Sequence, residues 1–279
     1  MEAEEFPGGG VSEACPRALQ GKGAAAALPP VPEAALIQPL RLPHEASVPS
    51  RVLLVCTAPD MKFVSSLVHG RDGARRLWLS DLRPGSFQGR ELLLAGPVLG
   101  GPQAAMVLEK LIALGAREVV ALGWCGSLSP KLPAGSLLLP TLAHPGDGTS
   151  PHYLAPGVLP GPHPGLASRL RRQLSARAAE PGDLIWQAGP VWSTDAVYRE
   201  TPALLGKARA AGAVAVEMEL AAVLAVAAFR GIAAAGLLVV SDELFGGVWR
   251  NLSRSPEVRR ARELAARLAL ACLTGGEEP

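Results

Sequence analysis

Two glutamates separated by a single residue, Glu217 and Glu219, lie in an almost wholly apolar run that ends at Ser241 and Asp242. Burying a carboxylate costs several kcal/mol unless donors hydrogen-bond to it or it takes up a proton. Acids in this setting therefore indicate a site for a ligand that offers hydrogen-bond donors. They also have a structural interpretation, because a carboxylate at a helix N-terminus is stabilised by the helix dipole by about 0.3–1 kcal/mol.

The elements that must position these acids form an α/β pattern. Short apolar runs alternate with segments of helical periodicity, which predicts a single domain with a central mixed, twisted β-sheet flanked by helices. The clearest predicted helix is 102–114, with Pro102 in its first turn and Gly115 after its end. Other predicted elements are strands at 118–122 and 232–240, a turn at 123–127 and a buried helix at 219–230. Asp242 then lies just beyond a strand end, where ligands bind in open α/β sheets.

Length and composition predict one main folded domain. Of the 279 residues, 48% are hydrophobic, which is enough to build one large α/β core. Residues 1–35 begin with several glutamates and continue rich in Gly, Ala and Pro, so we expect a disordered leader there. Residues 36–279 are expected to form the catalytic domain.

Charge and cysteine usage exclude several classes of partner. The formal net charge is +2, from 27 Lys and Arg against 25 Asp and Glu, and the basic residues are scattered, so no nucleic-acid partner is expected. No apolar run reaches the roughly 18–20 residues of a membrane span, and no signal peptide is expected. Four widely spaced cysteines without a C-x-x-C motif argue against disulfides and a metal site. These features favour a cytoplasmic protein that acts on a small molecule.

Four separated stretches carry motifs in a fixed order. They are G-G-P-Q-A-A through G-W-C-G-S-L (100–128), D-G-T-S-P-H-Y (147–153), W-S-T-D-A-V-Y-R-E (192–200) and V-E-M-E-L-A-A through V-V-S-D-E-L (216–244). In this set and order the chain resembles the nucleoside phosphorylase and nucleosidase superfamily, in particular hexameric-type purine nucleoside phosphorylases and uridine phosphorylases. The resemblance implies the α/β fold of that superfamily, an activity that cleaves the N-ribosyl bond of a nucleoside, and assembly into a homo-oligomer. It also implies that no cofactor is needed, with phosphate as a possible co-substrate.

The resemblance assigns three residues to the sugar. It implies that Glu219 accepts hydrogen bonds from the ribose 2′- and 3′-hydroxyls and that Met218 packs under the ring. Pro43-His44 is similar to an early P-H element of the family, which implies that His44 reaches the 5′-hydroxyl of a nucleoside bound to a neighbouring subunit.

The resemblance assigns further residues to the base. Glu217 is expected near the base, and Trp192 is expected to stack on it. Ser241 and Asp242 form the S-D motif, in which the aspartate donates a proton to purine N7, so purines are favoured. Gly123, which opens the G-W-C-G segment, is expected in the substrate site.

The chemistry of the reaction gives these roles a physical reason. Cleavage of an N-ribosyl bond builds positive charge on the sugar and negative charge on the departing base, so a site needs a carboxylate by the ribose and an acid by the base. Asp242 must carry a proton when it acts, and we expect partial burial to raise its pKa in that direction.

The family's phosphate-binding positions are altered in this chain. The family uses a glycine and an arginine in a G-D-P-x-R loop, an arginine before the G-x-C-G turn and a small hydroxyl residue within it; these places read Thr57, Met61, Ala121 and Trp124. The loss of two guanidiniums and the bulk of the indole predict weak phosphate binding. Related hydrolases place a glutamate near Met61, where this chain offers Asp60, one residue out of register. Phosphorolysis, hydrolysis and a nucleoside-binding module without catalysis all stay open.

Overall fold

The computed structural model describes residues 35–180 and 184–275 of the chain. The leader predicted at 1–35 therefore lies, except for residue 35, outside the described residues. Within the described ranges, no helix combines the length and the apolar composition that crossing a membrane requires.

The described strands are β1 (Arg51–Val55), β2 (His69–Gly70), β3 (Arg75–Leu77), β4 (Ser80–Phe87), β5 (Arg90–Gly96), β6 (Glu118–Ser127), β7 (Leu137–Gly146), β8 (Trp186–Thr194), β9 (Ala215–Glu217), β10 (Ala233–Glu243) and β11 (Arg250–Asn251). The described helices are α1 (Ala58–Leu67), α2 (Gly100–Leu114), α3 (Pro164–Ala178), α4 (Pro202–Ala210), α5 (Leu220–Arg230) and α6 (Pro256–Thr274), with short 3-10 turns at Ser150–His152 and Val197–Arg199.

These strands form one mixed sheet in the order β11-β10-β7-β8-β9-β6-β1-β5-β4-β2, with β3 paired to β4. Strand β6 pairs with β10 as well as with β9, so β10, β7, β8, β9 and β6 close into a ring. Strands β1 and β5 continue the sheet in parallel beyond β6, and β4 turns back antiparallel to β5. The predicted α/β fold with a mixed central sheet is confirmed.

Helices cover both faces of this sheet. Because side chains alternate along a strand, Val52 and Leu54 of β1 pack on one face with α2 and α5, and Leu53 and Val55 pack on the other with α1, α3 and α6. Helix α5 is buried from Leu220 through Ala227, as its nearly continuous apolar sequence predicts. The start of this central helix is consequently held firmly in the fold.

The turn predicted at 123–127 is wrong. Strand β6 runs through this segment, and it pairs with β10 from Glu118 to Ser127. Its glycines permit close packing and do not reverse the chain: a Cβ at Gly123 would lie 3.1 Å from Cys56 Sγ, and one at Gly126 would lie 2.7 Å from Leu244 Cδ1. A glycine inside a strand often marks such a close approach.

The end of β10 also differs from the prediction. Asp242 does not lie beyond the strand, because β10 continues to Glu243 and Asp242 pairs with Asn251 of β11. The register with β6 shifts between Val240 and Asp242, which is a bulge at Ser241. A bulge changes the direction in which the following side chain points.

Candidate active site

A cavity of about 410 Å³ opens where several strands end, and its volume lies in the range of about 300–1,000 Å³ that is typical of small-molecule sites. It is bounded by residues that follow β1, β8 and β9 and by the C-terminal parts of β6 and β10. Its lining residues are Cys56, Thr57, Leu99, Trp124, Cys125, Gly126, Val197, Tyr198, Glu200, Val216, Glu217, Met218, Glu219, Ser241, Asp242, Leu244 and Trp249.

Five residues predicted from the sequence meet in this cavity: Glu217, Met218, Glu219, Ser241 and Asp242. The first three arrive from the short strand β9 and the turn into α5, and the last two from the end of β10. Two motifs more than twenty residues apart in the chain thus face the same space.

Glu219 is the residue before α5 and is 6% exposed. Its Oε1 accepts a hydrogen bond of 2.6 Å from the backbone N–H of Gly100, the first residue of α2. Gly100 has a φ of +77°, which favours glycine. Burial, and then the charge of Glu217, raises the pKa of Glu219 to about 8. Burial therefore favours the protonated form of this carboxyl when no ligand is bound.

The Glu217 carboxylate accepts hydrogen bonds from the protein itself. Its Oε2 accepts hydrogen bonds of 2.7 Å from the N–H groups of both Glu219 and Leu220, and its Oε1 accepts one from the hydroxyl of Ser193. Burial raises the pKa of Glu217 to about 6 although these donors act to lower it. With three donors, Glu217 ionises before Glu219 does. Glu217 thus matches the structural interpretation, an acid that stabilises the first turn of a helix.

Asp242, which lines the same cavity, is held by two donors. Its Oδ1 accepts from Ser241 Oγ at 2.6 Å, and its Oδ2 accepts from Trp249 Nε1 at 3.0 Å. A Cβ at Gly126 would lie 2.9 Å from Asp242 Oδ2. The absence of a side chain at position 126 therefore leaves room for this carboxylate.

Glu200 is a cavity residue that sequence reasoning missed. It follows the 3-10 turn Val197–Arg199, is half-buried, and lines the cavity with Asp242. Burial, and then the charge of Asp242, raises the pKa of Glu200 to about 7. It is the last residue of the W-S-T-D-A-V-Y-R-E motif, but nothing in the motif tells which of its side chains the turn directs inward.

The aromatic residues of the cavity also differ from expectation. Trp124, Tyr198 and Trp249 line it, whereas Trp192 does not. Trp192 packs in a small apolar cluster with residues of α4. Side chains alternate along β8, so Ser193, which reaches Glu217, and Trp192 point to opposite sides. The structure therefore does not bring Trp192 to the position where a base would be stacked.

Two further predicted residues lie away from the cavity. Gly123 is buried inside β6 beside Cys56 and is not part of the lining. His44 is exposed in a turn near the start of the described chain. Within a single chain His44 does not reach the cavity.

Two residues that line the cavity, Trp124 and Thr57, donate hydrogen bonds to one buried carboxylate. Asp60 is 2% exposed; its Oδ2 accepts from Trp124 Nε1 at 2.6 Å and from Thr57 Oγ1 at 2.8 Å, and its Oδ1 accepts from Arg262 Nε at 2.6 Å. The Arg262 guanidinium also lies over the Trp124 ring, 4.8 Å from its centroid. Trp124 is thus held on its edge and on its face.

Comparisons with known proteins agree on one family. A family model described as "Phosphorylase superfamily" matches residues 70–274. The guanosine phosphorylase of Halorubrum lacusprofundi is 28% identical over 193 residues, which cover 68% of this chain and 78% of that protein. The DeoD-type purine nucleoside phosphorylase of Myxococcus xanthus is 30% identical over 164 residues, which cover 58% of this chain and 67% of that protein. Among solved structures, this chain superposes on purine nucleoside phosphorylase from Toxoplasma gondii in complex with immucillin-H with a TM-score of 0.72 at 20% identity. The superposition covers 87% of this chain and 97% of that chain.

Proposed function

The chain belongs to the phosphorylase superfamily, and from that premise we propose that it is a pentosyltransferase-type enzyme that cleaves the N-ribosyl bond of a purine nucleoside. One observation carries the proposal: Glu219 and Asp242, a buried acid and a partly exposed one, line the same cavity. The guanosine and purine nucleoside phosphorylases among its relatives support the choice of a purine.

In this proposal Glu219 binds the sugar. Burial and the charge of Glu217 raise the pKa of this carboxyl in the empty site, and the vicinal hydroxyls of ribose would supply two donors that favour its ionised form. Once ionised, Glu219 would stabilise the positive charge that develops on the ribose as the bond breaks. Met218, the neighbouring lining residue, would pack against the ring.

Asp242 acts at the base. As the C1′–N9 bond breaks, its electron pair stays with the purine, and Asp242 delivers a proton to N7. Pyrimidines have no N7, so this role favours purines. The donors Ser241 and Trp249 orient the carboxyl, and Trp249 and Tyr198 offer aromatic faces for the base.

The acceptor of the ribosyl group is phosphate or water. Phosphate is the co-substrate that the family implies, and attack by one of its oxygens on C1′ gives ribose 1-phosphate. Water is favoured by a specific observation: the described residues that line the cavity include no lysine, arginine or histidine. A dianion would have to bind there without a cation from the lining of the same subunit.

We also propose that the protein is a homo-oligomer in the cytoplasm, with 36–279 as the catalytic domain. Exposed apolar side chains support an interface close to His44; they are Leu36, Ile37, Leu40 and Leu42. In an oligomer, His44 would reach the site of a neighbouring subunit.

The test is release of free base from guanosine, inosine, adenosine and uridine, with and without phosphate. We expect purine release from the wild type, and Glu219→Gln to lower kcat/KM by about 10²-fold because one charged transition-state contact is lost. Glu263→Gln, an exposed change on α6, is the matched control and should retain full activity. Tight nucleoside binding without release would identify a binding module, and release from uridine alone would refute the role of Asp242.

A further inference from the structure

We propose that Trp124 closes one end of the cavity to anions and covers the guanidinium of Arg262, so that the ribosyl group passes to water and not to phosphate. The inference rests on the proposed function, because it names the acceptor of that reaction.

Trp124 has no freedom to swing away from this end. Its Nε1 donates to Asp60 at 2.6 Å, and the Arg262 guanidinium lies over its ring face. Asp60 is in turn held by Thr57 and Arg262. Every group in the network has a partner, so Asp60, Trp124 and Arg262 hold one another in place.

The network lies at the sugar end of the cavity. Thr57 and Cys56 line the cavity next to Trp124. Glu219 lines the same cavity, and Thr57 donates a hydrogen bond to Asp60. Burial, and then the charges of Glu219, Glu217 and Asp60, raises the pKa of the Cys56 thiol. The network therefore stands beside the residue proposed to bind ribose, which is where an acceptor must approach C1′.

Arg262 supplies a cation that the cavity cannot use. The side chain is 17% exposed, pairs with Asp60 and is not part of the lining. Its charge is neutralised by a buried carboxylate, and Trp124 stands on its path to the cavity. Arg262, Asp60 and Trp124 are thus positioning residues and not substrate ligands.

The charges that do line the cavity oppose an anion. Four of the described lining residues are acids, namely Glu200, Glu217, Glu219 and Asp242, and none is basic. A phosphate dianion would find no counter-charge among these residues, and each of the four acids that is ionised would repel it in a partly desolvated space. A water molecule carries no charge and is small enough to approach C1′ in front of the indole.

The step balances with water alone. The water oxygen bonds to C1′ as the C1′–N9 bond breaks, and the electron pair of that bond stays with the purine. Asp242 gives its proton to N7, and the proton that water releases returns to Asp242 through solvent. The products are ribose and the free base.

The experiment compares the wild type with Trp124→Ser, Trp124→Phe and the double variant Trp124→Ser/Arg262→Gln. Base release from guanosine is measured with and without saturating phosphate, and ribose is distinguished from ribose 1-phosphate by phosphorus NMR. We expect the wild type and Trp124→Phe to give ribose at a rate that phosphate does not change. Trp124→Ser should uncover Arg262, so that phosphate accelerates release at least about tenfold, the effect of one charge-assisted hydrogen bond. The double variant should lose this gain.

Three outcomes would overturn the proposal: ribose 1-phosphate from the wild type, no gain in Trp124→Ser, or an equal gain in the double variant. Thermal unfolding checks each variant, and Trp124→Val, which keeps more apolar bulk, replaces Trp124→Ser if the latter does not fold. If no protein releases base with either acceptor, the proposed function fails. Calorimetric titration with phosphate then still tests whether Trp124 closes the cavity to anions. If it does, phosphate binds to Trp124→Ser and does not bind to the wild type or the double variant.

Discussion

At the scale of single residues, neighbouring acids with similar sequence surroundings have different tasks. Glu217 accepts from three protein donors and stabilises the start of α5, whereas Glu219 accepts from Gly100 and faces the cavity. The acid with the fewer donors has the higher pKa, about 8 against about 6. Burial is the largest cause of both raised pKa values, and the charge of Glu217 adds to that of Glu219, the acid proposed to bind the sugar.

This difference predicts a pH dependence of stability. The pKa of Glu219 is 4.5 ordinarily and about 8 in the folded protein, so the folded state binds this proton more tightly than the unfolded state. Its contribution to stability is fully present below pH 4.5 and is lost as the pH rises through 8. Without ligand, we expect Tm to fall between about pH 5 and pH 9, and Glu219→Gln to flatten that fall and to have the higher Tm at the alkaline end.

Glu217→Gln is the comparison variant for this measurement, and it should flatten only part of the fall in Tm, because the charge of Glu217 is one cause of the raised pKa of Glu219 and burial is the larger one. This substitution weakens the hydrogen bonds that α5 receives, so we expect it to lower the free energy of unfolding by about 1–3 kcal/mol. If the Tm of Glu219→Gln falls with pH as steeply as that of the wild type, the proton responsible for the pH dependence is not bound at Glu219.

At the scale of elements, the strands β6 and β10 determine where Asp242 lies. The bulge after Val240 turns the Asp242 side chain, and Gly126 on the paired strand leaves space for it. Trp249, the residue before β11, then donates a hydrogen bond from its indole N–H to this carboxylate. The bulge, the glycine and the indole N–H together determine the position of the Asp242 carboxylate.

Gly126→Ala tests this arrangement. The added Cβ would lie 2.9 Å from Asp242 Oδ2 and 2.7 Å from Leu244 Cδ1, so the carboxylate must move. We expect kcat/KM for purine nucleosides to fall by about 10²-fold, as for a 1 Å misplacement of a reacting group. Gly206→Ala on α4, where nothing lies within 4 Å of the added Cβ, should keep full activity and gain about 0.4–1 kcal/mol of stability. Unchanged kinetics of Gly126→Ala would argue against Asp242 as the proton donor.

At the scale of the whole molecule, the closed ring of β10, β7, β8, β9 and β6 brings the ends of distant strands around one cavity. The cavity draws lining residues from Cys56 to Trp249, nearly two hundred positions along the chain. His44 lies outside it, and in the proposed oligomer it completes the site of a neighbour.

Co-expression of two inactive variants tests the shared site. We expect His44→Ala and Asp242→Asn each to lower activity, because one removes a contact to the sugar and the other the proton donor. If His44 acts across an interface, mixed oligomers contain sites with both residues intact, and about a quarter of the wild-type activity should return. Mixing the purified variants without subunit exchange is the control. No recovery in the co-expressed sample would restrict His44 to its own chain or to no role.

Much of the fold follows from local patterns in the sequence. The alternation of apolar runs predicts the mixed sheet, and the nearly continuous apolar run of α5 predicts its central position. The E-M-E and S-D motifs predict the meeting of Glu219 and Asp242 through resemblance to the family. The sequence interpretation failed at 123–127, since a glycine in a turn and a glycine against a packed neighbour look alike in a sequence.

The sequence by itself thus determined the class of fold, the family and three of the four acids that line the cavity, Glu217, Glu219 and Asp242, because these depend on periodicity and on motifs of a few residues. Tertiary structure alone decided that Trp124 faces the cavity and Trp192 does not. It also paired Arg262 with Asp60, which lie 202 residues apart. Partners at such separations are chosen by packing and charge in the folded chain, and no local pattern records them.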